Sequence, residues 1–258
     1  MTAELTKAPA AARSLRAEWA RLATGPVPQR RFAADLVTGL PEPARRWLTH
    51  AVAAGTPLWP TVQLIMRGQI RLGAWRPFTA RQLLAPPHGF IWAATARVAG
   101  LPVTGFDRYS SGTGQMRWRL LGLVPVMTGA GPDVTRSAAG RLAGEGVCWL
   151  PTAFTGAAWS AGPDPDTAVA TWRIGDEKEA VRLRVGPDGR LQEALVQRWG
   201  NPDGQPFGRY PFGVAVEAER TFGGVTLPSV LRAGWGWGTD RQEAGEFFRA
   251  EITEAVFQ

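Results

Sequence analysis

Asp107, Tyr109, Glu145 and Arg220 are the residues of this 258-residue chain whose types and positions could do chemistry. Arg220 falls at period two with Val214, Val216, Ala218 and Phe222, and Asp107 falls in the same way with Val103 and Tyr109. Alternate residues of a strand share one face. A charge on an apolar face is costly unless it is paired and hydrogen-bonded. Arg220 is therefore expected to be at least half buried and to meet Asp107, Glu145 or the anionic group of a ligand. Two readings of this set stay open. One is a structural ion pair that closes one end of a sheet. The other is the polar end of an aromatic pocket, where an acid or base works on an apolar substrate.

The pocket itself is suggested by tryptophan, of which the chain has 12. Trp92 aligns with Phe90, Ala94, Ala96 and Val98; Trp118 with Met116 and Leu120; Trp172 with Ala168, Ala170 and Ile174; Trp199 with Leu191 and Leu195. Four strands thus point an indole the same way as their aliphatic residues. Such a face either fills a core or lines a cavity for an apolar ligand. Trp92, Trp118, Trp149, Trp172, Trp199 and Arg220 are the expected ligand contacts.

Other chemistries find little support. His50 and His88 stand alone, and no second ligand lies at a metal-binding spacing from either. The single Cys148 excludes an intrachain disulfide and a cysteine-built metal cage, and beside Trp149 it reads as a small buried residue. Gly112-Thr113-Gly114 lies between two strand-like runs with no helix after it, so it reads as a hairpin turn and not a phosphate loop. Neither a metal nor an organic cofactor is expected. The net charge of +7 is carried almost wholly by arginine. Those arginines alternate singly with apolar residues, as in Arg67 and Arg71, Arg117 and Arg119, and Arg182 and Arg184. That is the solvent face of half-buried strands rather than a nucleic-acid surface.

The elements that must hold these residues are mostly strands. Residues 11–23 read as a helix carrying Leu15, Trp19 and Leu22, and Arg30 to Val37 as a short second one. A third has Pro43 in its first turn and an apolar stripe of Ala44, Trp47, Leu48, Ala51 and Val52. Alternating runs follow over 61–72, 89–98, 102–109, 113–121, 167–174, 179–186, 191–199, 213–222, 225–235 and 247–257. Short turns such as Gly223-Gly224 make them an antiparallel meander. A glycine-rich helix is predicted at Asp133–Gly146, small enough on its surface to approach the sheet closely. Alternating Gly234, Gly236 and Gly238 around Trp235 and Trp237 suggest a bend or close backbone contact. The predicted class is α+β, mainly β: one strongly curved antiparallel sheet, a half-barrel of roughly nine to eleven strands. Residues 1–39 form an N-terminal helical segment and 40–258 the sheet domain. No run approaches the apolar length of a membrane-spanning helix, and Met1–Ala23, with Glu4, Lys7, Arg13, Arg16 and Glu18, lacks the core of a secretory signal. A cytosolic protein with no integral membrane association is expected.

Several phrases resemble a family of bacterial proteins of unknown function: Leu40-Pro41-Glu42-Pro43-Ala44-Arg45-Arg46-Trp47-Leu48, Trp75-Arg76-Pro77-Phe78-Thr79-Ala80, and Gly89-Phe90-Ile91-Trp92. Asp107-Arg108-Tyr109-Ser110-Ser111-Gly112-Thr113-Gly114, Trp149-Leu150-Pro151-Thr152-Ala153 and Phe222-Gly223-Gly224-Val225-Thr226-Leu227-Pro228-Ser229 continue the series in order. That family is similar in layout to the LolA-like lipoprotein carriers, which implies an antiparallel half-barrel wrapping a helix and holding lipid. The family's inserted helix is usually richer in Leu, Tyr and Glu than this one. The functional expectation is a binder of an apolar small molecule, with an anionic group as one option. The alternative is a cofactor-free cyclase, isomerase or hydro-lyase using the same cavity.

Overall fold

The alternating runs fold as the strands of a single antiparallel sheet in the computed structural model, which describes residues 7–258. Glu4 and the rest of the reading that fell on residues 1–6 lie outside the described residues. The first half of the sheet is β1 (Val62–Leu72), β2 (Ala74–Ala85), β3 (Gly89–Val98), β4 (Leu101–Ser110), β5 (Thr113–Leu120) and β6 (Val124–Ala130). The second half is β7 (Ala158–Ala161), β8 (Thr167–Ile174), β9 (Glu177–Val185), β10 (Leu191–Gly200), β11 (Gly208–Phe222), β12 (Val225–Trp235) and β13 (Glu246–Phe257). The spatial order is β6-β5-β4-β3-β2-β1-β13-β12-β11-β10-β9-β8-β7. Each half is a meander, and the two join where β1 pairs with β13.

The expected half-barrel is corrected by this topology. The sheet is open, with 13 strands rather than nine to eleven, and its edges β6 and β7 do not pair with each other. Closing a barrel requires the outermost strands to share a hydrogen-bond ladder. Here one edge strand is almost wholly exposed and the other is four residues long. The chain passes between them through a helix instead.

Three strands escaped the sequence reading for physical reasons. Beyond Phe78, β2 is covered on both faces: Ala80 and Leu84 pack into the main core and Leu83 and Ala85 into a second one. Its residues therefore do not alternate. β6 carries Val124, Val126 and Met127 but leaves them exposed, without polar residues alternating between them, and β7 is only four residues long. The turn signals were legible: Ser111-Gly112 (φ 51° and 72°) and Gly223-Gly224 (φ 56° and 86°) take the left-handed conformation that tight hairpins need.

Helices cover both sides. α1 (Arg16–Ala23) packs Trp19 and Leu22 on Leu83, Ile91 and Phe106, forming the second core. α2 (Glu42–Ala51) and α3 (Pro132–Trp149) lie on the opposite face, in the main core. α2 buries the predicted stripe, Ala44, Trp47, Leu48, Ala51 and Val52 all being at most 3 % exposed. The short helix expected at Arg30–Val37 is a 3-10 turn at Ala34–Val37. α3 connects β6 to β7 and crosses the face between the two edges, touching β4 and β5 on one wing and β8, β9 and β10 on the other.

Candidate functional site

α3 is able to approach the sheet because its inward face is small. Ser137, Gly140, Arg141, Gly144, Glu145 and Cys148 recur at helical spacing and together line one cavity. A Cβ at Gly140 would fall 3.2 Å from Arg198 Cγ and 3.4 Å from Glu179 Oε2, so glycine sets the distance to β9 and β10 there. A Cβ at Gly144 would meet nothing within 4 Å. Open space is left at that point.

The cavity measures about 310 Å³, the lower end of the range for small-molecule sites. Its walls are Trp92 from β3, Trp149 from α3, Phe212 from β11, Trp235 from β12, and Phe247 and Phe248 from β13, with aliphatic residues of β9, β10 and β12 between them. The rings brace one another. Trp92 lies 5.5 Å from Trp118, and Phe212 makes an edge contact with Trp235 at 5.1 Å.

One end is polar. Arg141 donates to Asp107 Oδ2 at 2.9 Å and to Glu145 Oε1 at 2.7 Å. Trp118 Nε1 donates to Asp107 Oδ1 at 2.9 Å, and the Gln82 amide donates to Glu145 Oε2. All four carboxylate oxygens are thereby engaged. The Arg141 guanidinium also lies over the rings of Phe90 and Trp92, at 4.7 and 5.1 Å. Burial alone would lower its pKa; Glu145 and Asp107 outweigh that and hold it above its usual value.

A second cation, Arg198 of β10, lines the same cavity. Its Nε donates to Ser137 O at 3.1 Å, and its guanidinium sits over Phe212 and Trp235 at 4.9 and 5.2 Å. Burial, and then the nearby Arg141, push its pKa down to about 10. Glu179, fully buried beside Gly140, takes two bonds of 3.0 Å from Arg209. Burial still raises its pKa above the usual carboxylate range.

The sequence candidates are distributed as follows. Asp107 and Glu145 meet, through Arg141. Tyr109 is buried in the main core and does not line the cavity; burial, then Asp176 and Glu177, raise its pKa. Arg220 is exposed over Phe222, at 5.9 Å, and forms no ion pair among the described residues, so its expected burial is corrected. β11 breaks register between Val216 and Glu219, and beyond that bulge the enclosed charge is Glu219, 2.8 Å from His50. Trp92 and Trp149 line the cavity. Trp118 supports it from behind through Asp107. Trp172 is packed against α3 at Gly146 and against Gly156. Trp199 donates to Asp133 Oδ1 at 2.9 Å, beside the first turn of α3.

Arg141 and Arg198 were not among the sequence candidates. Arg141 had a readable signal, its i,i+4 spacing from Glu145. Arg198 had a misleading one. Counted from Leu191, it falls on the solvent side of β10, but a bulge between Leu191 and Glu193 turns Ala194, Val196 and Arg198 to the cavity.

A family model matches residues 30–247, spanning α2, α3 and the strands from β1 to β12. The chain belongs to DUF6544, a family of unknown function. Comparison with curated proteins gives no match. Among solved structures this DUF6544 chain resembles, weakly, an outer membrane lipoprotein-sorting protein domain from Vibrio parahaemolyticus. The identity is 9 %, the coverage 88 % of this chain and 94 % of that one, and the TM-score 0.45. A LolA superfamily protein from Nitrosomonas europaea gives 10 % identity, the same coverages and a TM-score of 0.44. The expected cytosolic location is not carried forward: the two solved structures are described as a lipoprotein-sorting protein domain and a LolA superfamily protein. Among the described residues no helix is long and apolar enough to cross a membrane.

Cys148 faces the cavity yet is 3 % exposed, and burial followed by Glu145 pushes its pKa up to about 12. At pH 8 the thiolate is then about one part in ten thousand. Iodoacetamide is expected to leave Cys148 unmodified in the folded protein and to alkylate it within minutes in denaturant, as read by intact mass. Rapid native labelling would show that α3 moves far enough to uncover Cys148.

Proposed function

We propose that this protein binds one apolar small molecule in the cavity between α3 and the sheet. The observation that supports this most directly is the cavity itself. It is a concave, partly open space of about 310 Å³ walled mainly by aromatic and aliphatic side chains with a few polar groups at one end, the usual form of a small-molecule site. It persists because glycine, serine and cysteine stand on the inward face of α3 where larger residues would fill it. The alternative, a cofactor-free enzyme, lacks comparable support. Asp107 and Glu145 are both bonded to Arg141, which stabilises their charged forms and makes each a weaker base.

The test is titration with the neutral apolar probe N-phenylnaphthylamine. A saturable one-to-one rise in its emission is expected, with quenching of tryptophan fluorescence and a rise in Tm that follows RT ln(1 + [L]/Kd) in free energy. A linear response that never saturates, with Tm unchanged, would count against the reading.

A further inference from the structure

We infer that the ligand is an amphiphile: a single apolar chain with an anionic end group, seated so that the anion meets Arg198. This rests on the binding reading above and names its ligand class. Three features carry it.

The first is the shape of the space. A second cavity of about 290 Å³ adjoins the first and shares Asp107, Met116, Ser137, Arg141, Arg198 and Trp235 with it. The first is walled by rings and aliphatic side chains; the second adds Arg108, Gln115 and Asn201, and the half-exposed Phe207. Arg198 stands at the boundary, where the polar end of a molecule buried in the first cavity would lie.

The second feature is the unequal treatment of two neighbouring cations. Arg141 is bonded to two carboxylates. Arg198 forms no ion pair among the described residues, and its single hydrogen bond uses Nε alone. Asp107 and Glu145 act on it through space, but they are bonded to Arg141, Trp118 and Gln82 and neither is hydrogen-bonded to Arg198. Both terminal nitrogens of Arg198 are left without a protein acceptor. They form the planar fork that carboxylate and phosphate oxygens match.

The third feature is preorganisation. Ser137 O fixes Nε, and the rings of Phe212 and Trp235 flank the guanidinium. Little side-chain freedom is then lost when an anion binds. The environment already disfavours the charge through burial and through Arg141, which an arriving anion would relieve.

Calorimetric titration of the full chain with dodecanoate, dodecyl phosphate and dodecanol, each below its micellar concentration, separates the possibilities. At least one anion is expected to bind about tenfold or more tightly than the alcohol, the scale of a hydrogen-bonded charge. Whichever anion binds more tightly identifies the head group. Arg198→Met should remove that preference, so that anions and dodecanol bind this variant with affinities within about twofold of each other, and Arg198→Lys should retain part of it. Retained far-ultraviolet circular dichroism checks that the variants fold. Equal affinity for anions and alcohol, or a preference that survives in both variants, overturns the inference and leaves the apolar cavity standing. Failure of all three probes to bind overturns both.

Discussion

Replacing Arg141 by methionine is expected to cost the fold about 3–5 kcal/mol, read as a drop in the urea midpoint. The aliphatic body would be kept and the charge lost. Asp107 and Glu145, whose side chains are 19 % and 16 % exposed, would then lose the one cation bonded to them, with Arg198 acting on them only through space. Breaking one member of an enclosed network costs more than the network contributes as a whole, because the remaining charges stay desolvated. The triple change Asp107→Asn, Arg141→Met, Glu145→Gln should therefore recover most of the loss. Trp118 and Gln82 still find side-chain oxygens to donate to in that variant. If the single change costs less than about 1 kcal/mol, Arg141 behaves as an exposed surface partner, and the polar end of the cavity is not the closed network described.

Gly144→Leu is expected to abolish binding of the apolar probe and to leave the protein at least as stable as before. The new Cβ meets nothing within 4 Å, and the residue lines the cavity, so the side chain enters empty space. Removing a glycine from a helix interior gains about 1 kcal/mol, and the added leucine atoms find the contacts the void lacks. Gly140→Leu is the contrasting case. One helical turn away, its Cβ would press on Arg198 Cγ at 3.2 Å and Glu179 Oε2 at 3.4 Å. An overpacking cost of about 1–3 kcal/mol is expected there. Equal destabilisation by the two variants would mean that the space beside Gly144 is not available to a side chain. Unchanged probe binding in a folded Gly144→Leu protein would place the ligand elsewhere.

Much of the scaffold was legible because local pattern and final environment agree. The stripe of α2, the hairpin glycines and the alternating strands each encode their element within a short window. The Trp92 face and the small inward face of α3 were legible for the same reason. The misplacements of Arg198, Trp199 and Arg220 have one common origin. A strand reading carries parity forward from residue to residue, and a bulge resets it without leaving a mark in composition. The bulge after Leu191 brought Arg198 into the cavity, and the irregular register between Val216 and Glu219 left Arg220 in solvent. Trp199 is off the cavity wall for the first of these reasons.

The sequence by itself determined the class of the molecule: a largely antiparallel sheet with one glycine-rich helix inserted. It could do so because periodicity and turn chemistry are local. Tertiary structure alone decided that the sheet stays open, since edge pairing joins strands far apart in the chain. It also decided which cations face the cavity, and that Arg141 is neutralised there while Arg198 is not. Those outcomes depend on bulges and on the crossing of α3 between the two edges. Such long-range geometry fixes where a side chain ends up without changing which residues surround it in sequence.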